Sequence, residues 1–139
     1  MKKIVVGVDG SPESRLAAEQ AAELARSMGA RMLATYVVTL PVAVGPEPLE
    51  LHTWEVAERK YASELLAKVA IQYRRSGIDV ETVMPSGAPA ETLAEMARSE
   101  DVQLVVVGHR GRGAIKRALL GSVADRLVQI SPKPVLVAR

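Results

Sequence analysis

The strongest constraint on this chain is an alternation of two kinds of segment. Short runs rich in β-branched residues alternate with longer stretches in which apolar residues recur at helical spacing. The first run, Ile4 to Val8, ends at Asp9-Gly10-Ser11-Pro12, where Ser11 can cap a helix and Pro12 suits its first position. Leu16, Ala17, Ala21, Leu24, Ala25 and Met28 then carry a helical period, and Gly29 is its natural stop. Met32 to Val38 reads as a second strand, followed by a loop holding Pro41, Gly45, Pro46 and Pro48. The spacing predicts a long helix over 49–76, with Trp54, Ala57, Tyr61, Leu65 and Val69 as its buried stripe and Gly77 as its end. A third strand over 78–84, a turn from Pro85 to Pro89 and a helix over 90–99 come next. The apolar run 103–107 suits a central strand buried on both faces. A glycine-rich basic stretch over 108–120, a helix over 122–130 and a last strand over 134–138 complete the order β-α-β-α-β-α-β-α-β.

Strands separated by helices pair in parallel through right-handed crossovers. The expected fold is therefore an open, doubly wound, Rossmann-like parallel sheet of five strands with helices on both faces, one domain over 1–139. Aromatic residues make up only 3% of the chain and Phe is absent, so Ala, Val, Leu and Ile must fill the core. Ligands of such sheets bind beyond the C-terminal strand ends, where the strand order reverses. That rule points to Asp9-Gly10-Ser11 and to the stretch 108–122.

With 18 Lys and Arg against 16 Asp and Glu, the net charge of +2 announces neither a nucleic-acid nor a membrane partner. The chain has no Cys, so disulfide frameworks and thiolate metal sites are excluded. Its N-terminal apolar run breaks at Asp9, short of a signal-peptide core, and no segment approaches the about 20 apolar residues of a membrane helix. A cytoplasmic protein is expected.

Most of the chemistry lies in the stretch Gly108-His109-Arg110-Gly111-Arg112-Gly113 and onward to Gly121-Ser122. It leaves a buried strand and reaches a helix start, where unpaired N–H groups and a partial positive charge favour anions. Ser122 adds a hydroxyl at the expected cap, and Arg110, Arg112, Lys116 and Arg117 make the loop locally basic. Neither a G-x-x-x-x-G-K-[ST] nor a G-x-G-x-x-G pattern is present. Read from its residues alone, the stretch is either an anion-binding loop or simply a turn.

The spacing Gly108, Gly111, Gly121, Ser122 resembles the ATP-binding signature of the universal stress protein family: Gly, two residues, Gly, nine residues, Gly, then Ser or Thr. Ile4 to Ser11 resembles the family's first strand and its Asp, and Tyr36-Val37-Val38 the end of its second strand. Ser86 to Ala90 resembles the turn before its third helix, and Pro132 to Val137 its last strand. The resemblance implies an ATP-binding regulatory protein acting as a homodimer through the C-terminal strand. It places Asp9 and Val37 against the nucleoside, and Gly108, Gly111, Gly121, Ser122 and Val123 against the ribose and phosphates. ATP, with or without Mg2+, is the implied cofactor, and its binding would order 108–120 and 41–51. A carboxylate such as Asp9 suits a ribose because it accepts hydrogen bonds from hydroxyls. An unidentified protein partner would then read the ordered surface.

Plainer roles stand beside these. Asp9 and Ser122 could serve as helix caps and Val37 as core. His109 reads as a solvated loop histidine, since spacing fixes no carboxylate or nucleophile beside it. His52 and His109 form no spaced metal pair. Two further functions remain open: a slow ATPase, although no carboxylate lies between Gly108 and Leu120, and an interaction module without nucleotide.

Overall fold

The computed structural model describes residues 1–39, 48–112 and 120–139, with 48–50 as backbone. The chain runs β1 (Lys3–Gly7), α1 (Pro12–Met28), β2 (Arg31–Thr35), α2 (Pro48–Arg75), β3 (Val80–Val83), α3 (Pro89–Met96), β4 (Val102–Gly108), α4 (Ser122–Ile130) and β5 (Val135–Ala138). All five strands are parallel, in the order β3-β2-β1-β4-β5. The sheet grows outward from β1 through β2 to β3, then returns to the other flank of β1 for β4 and β5. The switch point therefore falls between β1 and β4, the two strand ends singled out by the sequence.

Successive side chains of β1 leave on opposite faces, because the side-chain period of a strand is two. Ile4, Val6 and Val8 join a core with α1 and α2, while Val5 joins a second core with α3 and α4. Ile4, Val5 and Val6 are all fully buried, as a central strand covered on both faces requires.

Helix α1 starts as its sequence indicates. Ser11 accepts a hydrogen bond from the Ser14 N–H at 3.1 Å, Pro12 occupies the first turn, and Gly29 closes the helix in the left-handed region at φ 61°. Its buried face is narrower than the apolar period suggested. Ser14, Ala17, Ala18, Ala21, Ala22 and Ala25 meet the sheet, whereas Leu16 and Met28 are exposed. The helix axis lies so close to β1 and β4 that the seam admits only small side chains.

The stripe expected on α2 is also rotated. Ala62, Leu66, Ala70 and Tyr73 are buried, with Leu65 and Val69 packed partly against them. Trp54, Ala57 and Tyr61 are exposed instead. The physical reason is length: α2 has 28 residues, about 42 Å at 1.5 Å per residue, against strands of 4 to 7 residues. Its N-terminal half extends past the sheet and faces the cavity at the strand ends rather than the core. The predicted loop 40–47 lies outside the described residues.

Candidate functional site

A cavity of about 830 Å³ opens at the C-terminal ends of the strands, walled on one side by the projecting half of α2. Asp9, Val37, Gly108, Gly111, Gly121, Ser122 and Val123 all line it. Residues from four separate parts of the sequence thus converge because the parallel sheet places every strand-to-helix exit at one end.

Asp9 stands at the centre. Its Oδ1 accepts the Ser11 N–H at 2.9 Å, and its Oδ2 accepts the Arg112 N–H at 2.8 Å. The Asp9 N–H donates to Ser14 Oγ at 3.3 Å. Burial alone would raise the Asp9 pKa. The hydrogen bonds from Ser11, Arg112 and Ser14 outweigh burial and hold it below the ordinary 3.8, so the carboxylate is ionised at neutral pH. Asp9 is not the cap of α1, a role that falls to Ser11. It joins the start of α1 to the glycine loop, and it supplies the loop with a carboxylate that no residue between 108 and 120 provides.

The two arms of the loop lie against each other. The Gly121 N–H donates to the His109 carbonyl at 2.6 Å. A Cβ on Gly121 would sit 3.0 Å from Arg110 Cα and 3.4 Å from the Gly111 nitrogen. A Cβ on Gly111 would come within 2.9 Å of Asp9 Oδ2. At both positions a side chain would collide with the loop's own backbone or with Asp9, so glycine there lets the two arms and the carboxylate pack closely. Gly108 has another reason to be glycine, since a Cβ there would meet the Glu13 backbone at 2.8 Å. β4 and α1 come close together there.

Gly121, not Ser122, occupies the N-cap of α4, without a side-chain cap bond. Ser122 is the first helical residue and exposed, its place shifted by the Gly121–His109 bond that fixes the chain just before it. The first-turn N–H groups of α4 have no intrahelical carbonyl to meet, which leaves an anion-compatible end at the cavity. Val37 lies beyond the end of β2, half-buried and packed toward the α3 and α4 core.

His109 is half-buried rather than solvated. Its Nδ1 lies 3.2 Å from the Ala138 carbonyl oxygen, and its Nε2 accepts from Arg110 Nε at 3.1 Å. The ring fastens the loop to β5. Arg110 also lies 3.8 Å from Glu13. Lys116 and Arg117 fall outside the described residues. Among the described residues no three His, Cys, Asp or Glu side chains converge to hold a metal.

The opposite wall carries residues that sequence reading did not assign. Arg112 Nη2 donates to Glu58 Oε1 and to the Tyr36 hydroxyl, each at 3.2 Å. Its guanidinium covers the Tyr61 ring at 4.9 Å, and the Tyr36 hydroxyl donates to Glu58. Tyr36 and Tyr61 meet edge to face with centroids 6.1 Å apart. Burial first, and then the bond to Glu58, push the Tyr36 hydroxyl well above its ordinary pKa. Glu58 and Tyr61 stand three residues apart on one face of α2, which is visible in the sequence. Their meeting with Arg112 is not.

Fold and site together define a doubly wound α/β protein with an anion-compatible glycine loop at its topological switch point. The chain belongs to the universal stress protein family, whose family model matches residues 1–139. A universal stress protein of Methanocaldococcus jannaschii is 36% identical, over 99% of this chain and 82% of the relative. The chain spans only 45% of a Mycolicibacterium smegmatis universal stress protein that is also 36% identical. Among solved structures, the universal stress protein UspA of Lactobacillus plantarum superposes with a TM-score of 0.89 at 25% identity, covering 99% of this chain and 97% of that one. A universal stress protein in complex with cAMP gives 0.76 at 26% identity, over 99% and 97% of the two chains. One from Archaeoglobus fulgidus in complex with dAMP gives 0.71 at 25% identity, over 100% and 98%.

Proposed function

We propose that this chain is an ATP-binding universal stress protein, a nucleotide-dependent regulator that works as a cytoplasmic homodimer. The observation that carries the reading is the cavity in which Asp9, Gly111, Gly121 and Ser122 meet at the start of α4. A phosphate or ribose there can meet the free N–H groups of the first turn of α4. Gly111, Gly121, Ser122 and Val123 would hold ribose and phosphate, and Asp9 and Val37 the nucleoside. Gly108 would help by letting β4 and α1 close behind the loop. ATP supplies a polyphosphate that a regulatory partner can read as a signal, and Mg2+ would be held chiefly through that polyphosphate. The relatives solved with cAMP and dAMP support an adenine nucleotide as the ligand class.

The homodimer reading rests on β5. It lies at the sheet edge, and its apolar residues Val135, Leu136 and Val137 remain partly exposed. An apolar edge strand is a template for pairing, and a two-fold axis lets it pair with itself. Among the described residues no helix is long and apolar enough to cross a membrane.

The test is to denature the purified protein and to separate the released small molecules by chromatography with mass detection. Adenine nucleotide near one per chain is expected. Finding none, even after incubation with Mg-ATP, overturns the reading and leaves an interaction module. Light scattering on the same sample is expected to give the mass of a dimer, and a monomer at all concentrations would remove β5 pairing.

A further inference from the structure

Arg112 leaves the glycine loop in the direction of α2 and is held there by three groups. Its Nη2 lies 3.2 Å from both Glu58 Oε1 and the Tyr36 hydroxyl, and its guanidinium rests on the Tyr61 ring. The Arg112 side chain is 49% exposed, whereas Glu58 is only 16% exposed. A loop cation beside the proposed phosphate site is thus committed to a carboxylate on the opposite wall. Its backbone is fixed separately, through the Asp9 bond, so the side chain can turn while the Arg112 backbone stays in place.

A phosphate monoester carries a charge of about −1.5 to −2 near neutrality and three strong acceptor oxygens, more than a single carboxylate offers a guanidinium. We propose that Arg112 is a two-position residue, held by Glu58 and Tyr36 as seen here and transferred to the phosphate when an adenine nucleotide enters the cavity. The Arg112–Glu58 pair then sets the preference of the site for phosphorylated over unphosphorylated adenosine. This inference rests on the adenine-nucleotide reading above. Transfer has a cost, because it leaves Glu58 in a largely buried position with the Tyr36 hydroxyl. A neutral nucleoside gains nothing that offsets that cost. Each transfer also unties the loop from the projecting half of α2, where Trp54, the chain's single tryptophan, lines the same cavity.

The experiment is calorimetric titration of the full chain with AMP and with adenosine, using wild type, Glu58→Gln, Arg112→Met and the double variant. Glu58→Gln removes the competing charge and is expected to raise the AMP-over-adenosine preference about fivefold. Arg112→Met is expected to lower it about tenfold, and in that background Glu58→Gln should change it less than about twofold. An equal Glu58→Gln effect with and without Arg112 would show that the carboxylate acts through its field alone, and would overturn the proposal. Trp54 fluorescence should respond to AMP and not to adenosine, and an equal response to both counts against it. Should Arg112→Met fail to fold, Arg112→Lys keeps the charge but loses the two-pronged geometry, and an intermediate preference is expected. Binding of both ligands with unaltered preference in every variant sinks this inference alone. Binding of neither by wild type sinks the nucleotide reading as well.

Discussion

The N–H of Arg112 donates a 2.8 Å hydrogen bond to Oδ2 of Asp9, joining residues 103 positions apart in the chain. Both lie just past the ends of neighbouring strands, since β1 and β4 pair with Val6 beside Val106. The sheet brings the two exits together, and the carboxylate then fixes the first turn of the glycine loop.

Replacing Asp9 tests that tie. Asp9→Asn keeps an acceptor for one N–H and turns an amide toward the other, so a loss of about 1.5–3 kcal/mol at neutral pH is expected. The Asp9 pKa lies below its ordinary 3.8 in the folded chain. Its contribution is therefore complete above that value and fades as pH falls through the folded pKa. Denaturant unfolding at pH 7 and at about pH 3 should show the gap between wild type and variant narrowing at the lower pH.

Gly108→Ala separates packing from binding. The new Cβ would meet Glu13 backbone atoms at 2.8 and 2.9 Å, so β4 and α1 must move apart. Overpacking of this kind costs about 1–3 kcal/mol. Thermal melting should register the loss whether or not a nucleotide is present.

Gly10 is constrained twice. Its φ is +88°, and a Cβ would fall 2.0 Å from the Tyr61 hydroxyl oxygen. Gly10→Ala should destabilise the fold by about 1–2 kcal/mol, chiefly from backbone strain, since the Tyr61 hydroxyl ends an exposed side chain that can turn aside. Adding Tyr61→Phe removes the hydroxyl and is expected to recover little of that loss in the same unfolding assay. The strain should remain.

Gly121→Val acts at the other end of the loop. Its side chain would enter the contact with Arg110 and Gly111 and separate the two arms. Circular dichroism should retain the wild-type helix and strand content. Affinity for AMP in calorimetry should drop by at least about tenfold, equivalent to ~1.4 kcal/mol. Undiminished affinity would place the ligand elsewhere.

Much of this protein was legible in its sequence, because local rules govern those parts. Alternating β-branched runs and helical periods fix the order of elements, and helix-long connections force parallel pairing. Ser11, Pro12 and Gly29 mark the ends of α1 through interactions within a few residues. The glycine spacing marks the loop by itself. What the sequence left open depended on how far each element extends past its neighbours. Apolar periodicity misjudged α1, since only the distance to β1 and β4 decides that alanines rather than Leu16 and Met28 meet the sheet. It misjudged α2, since only the short strands decide that Trp54 and Tyr61 face the cavity end rather than the core. The reason Gly108 is glycine, the move of the N-cap to Gly121 and the gathering of Tyr36, Glu58 and Tyr61 around Arg112 all arise from contacts between distant segments. Local preference carries no information about such distances; the packing of helices on the sheet sets them.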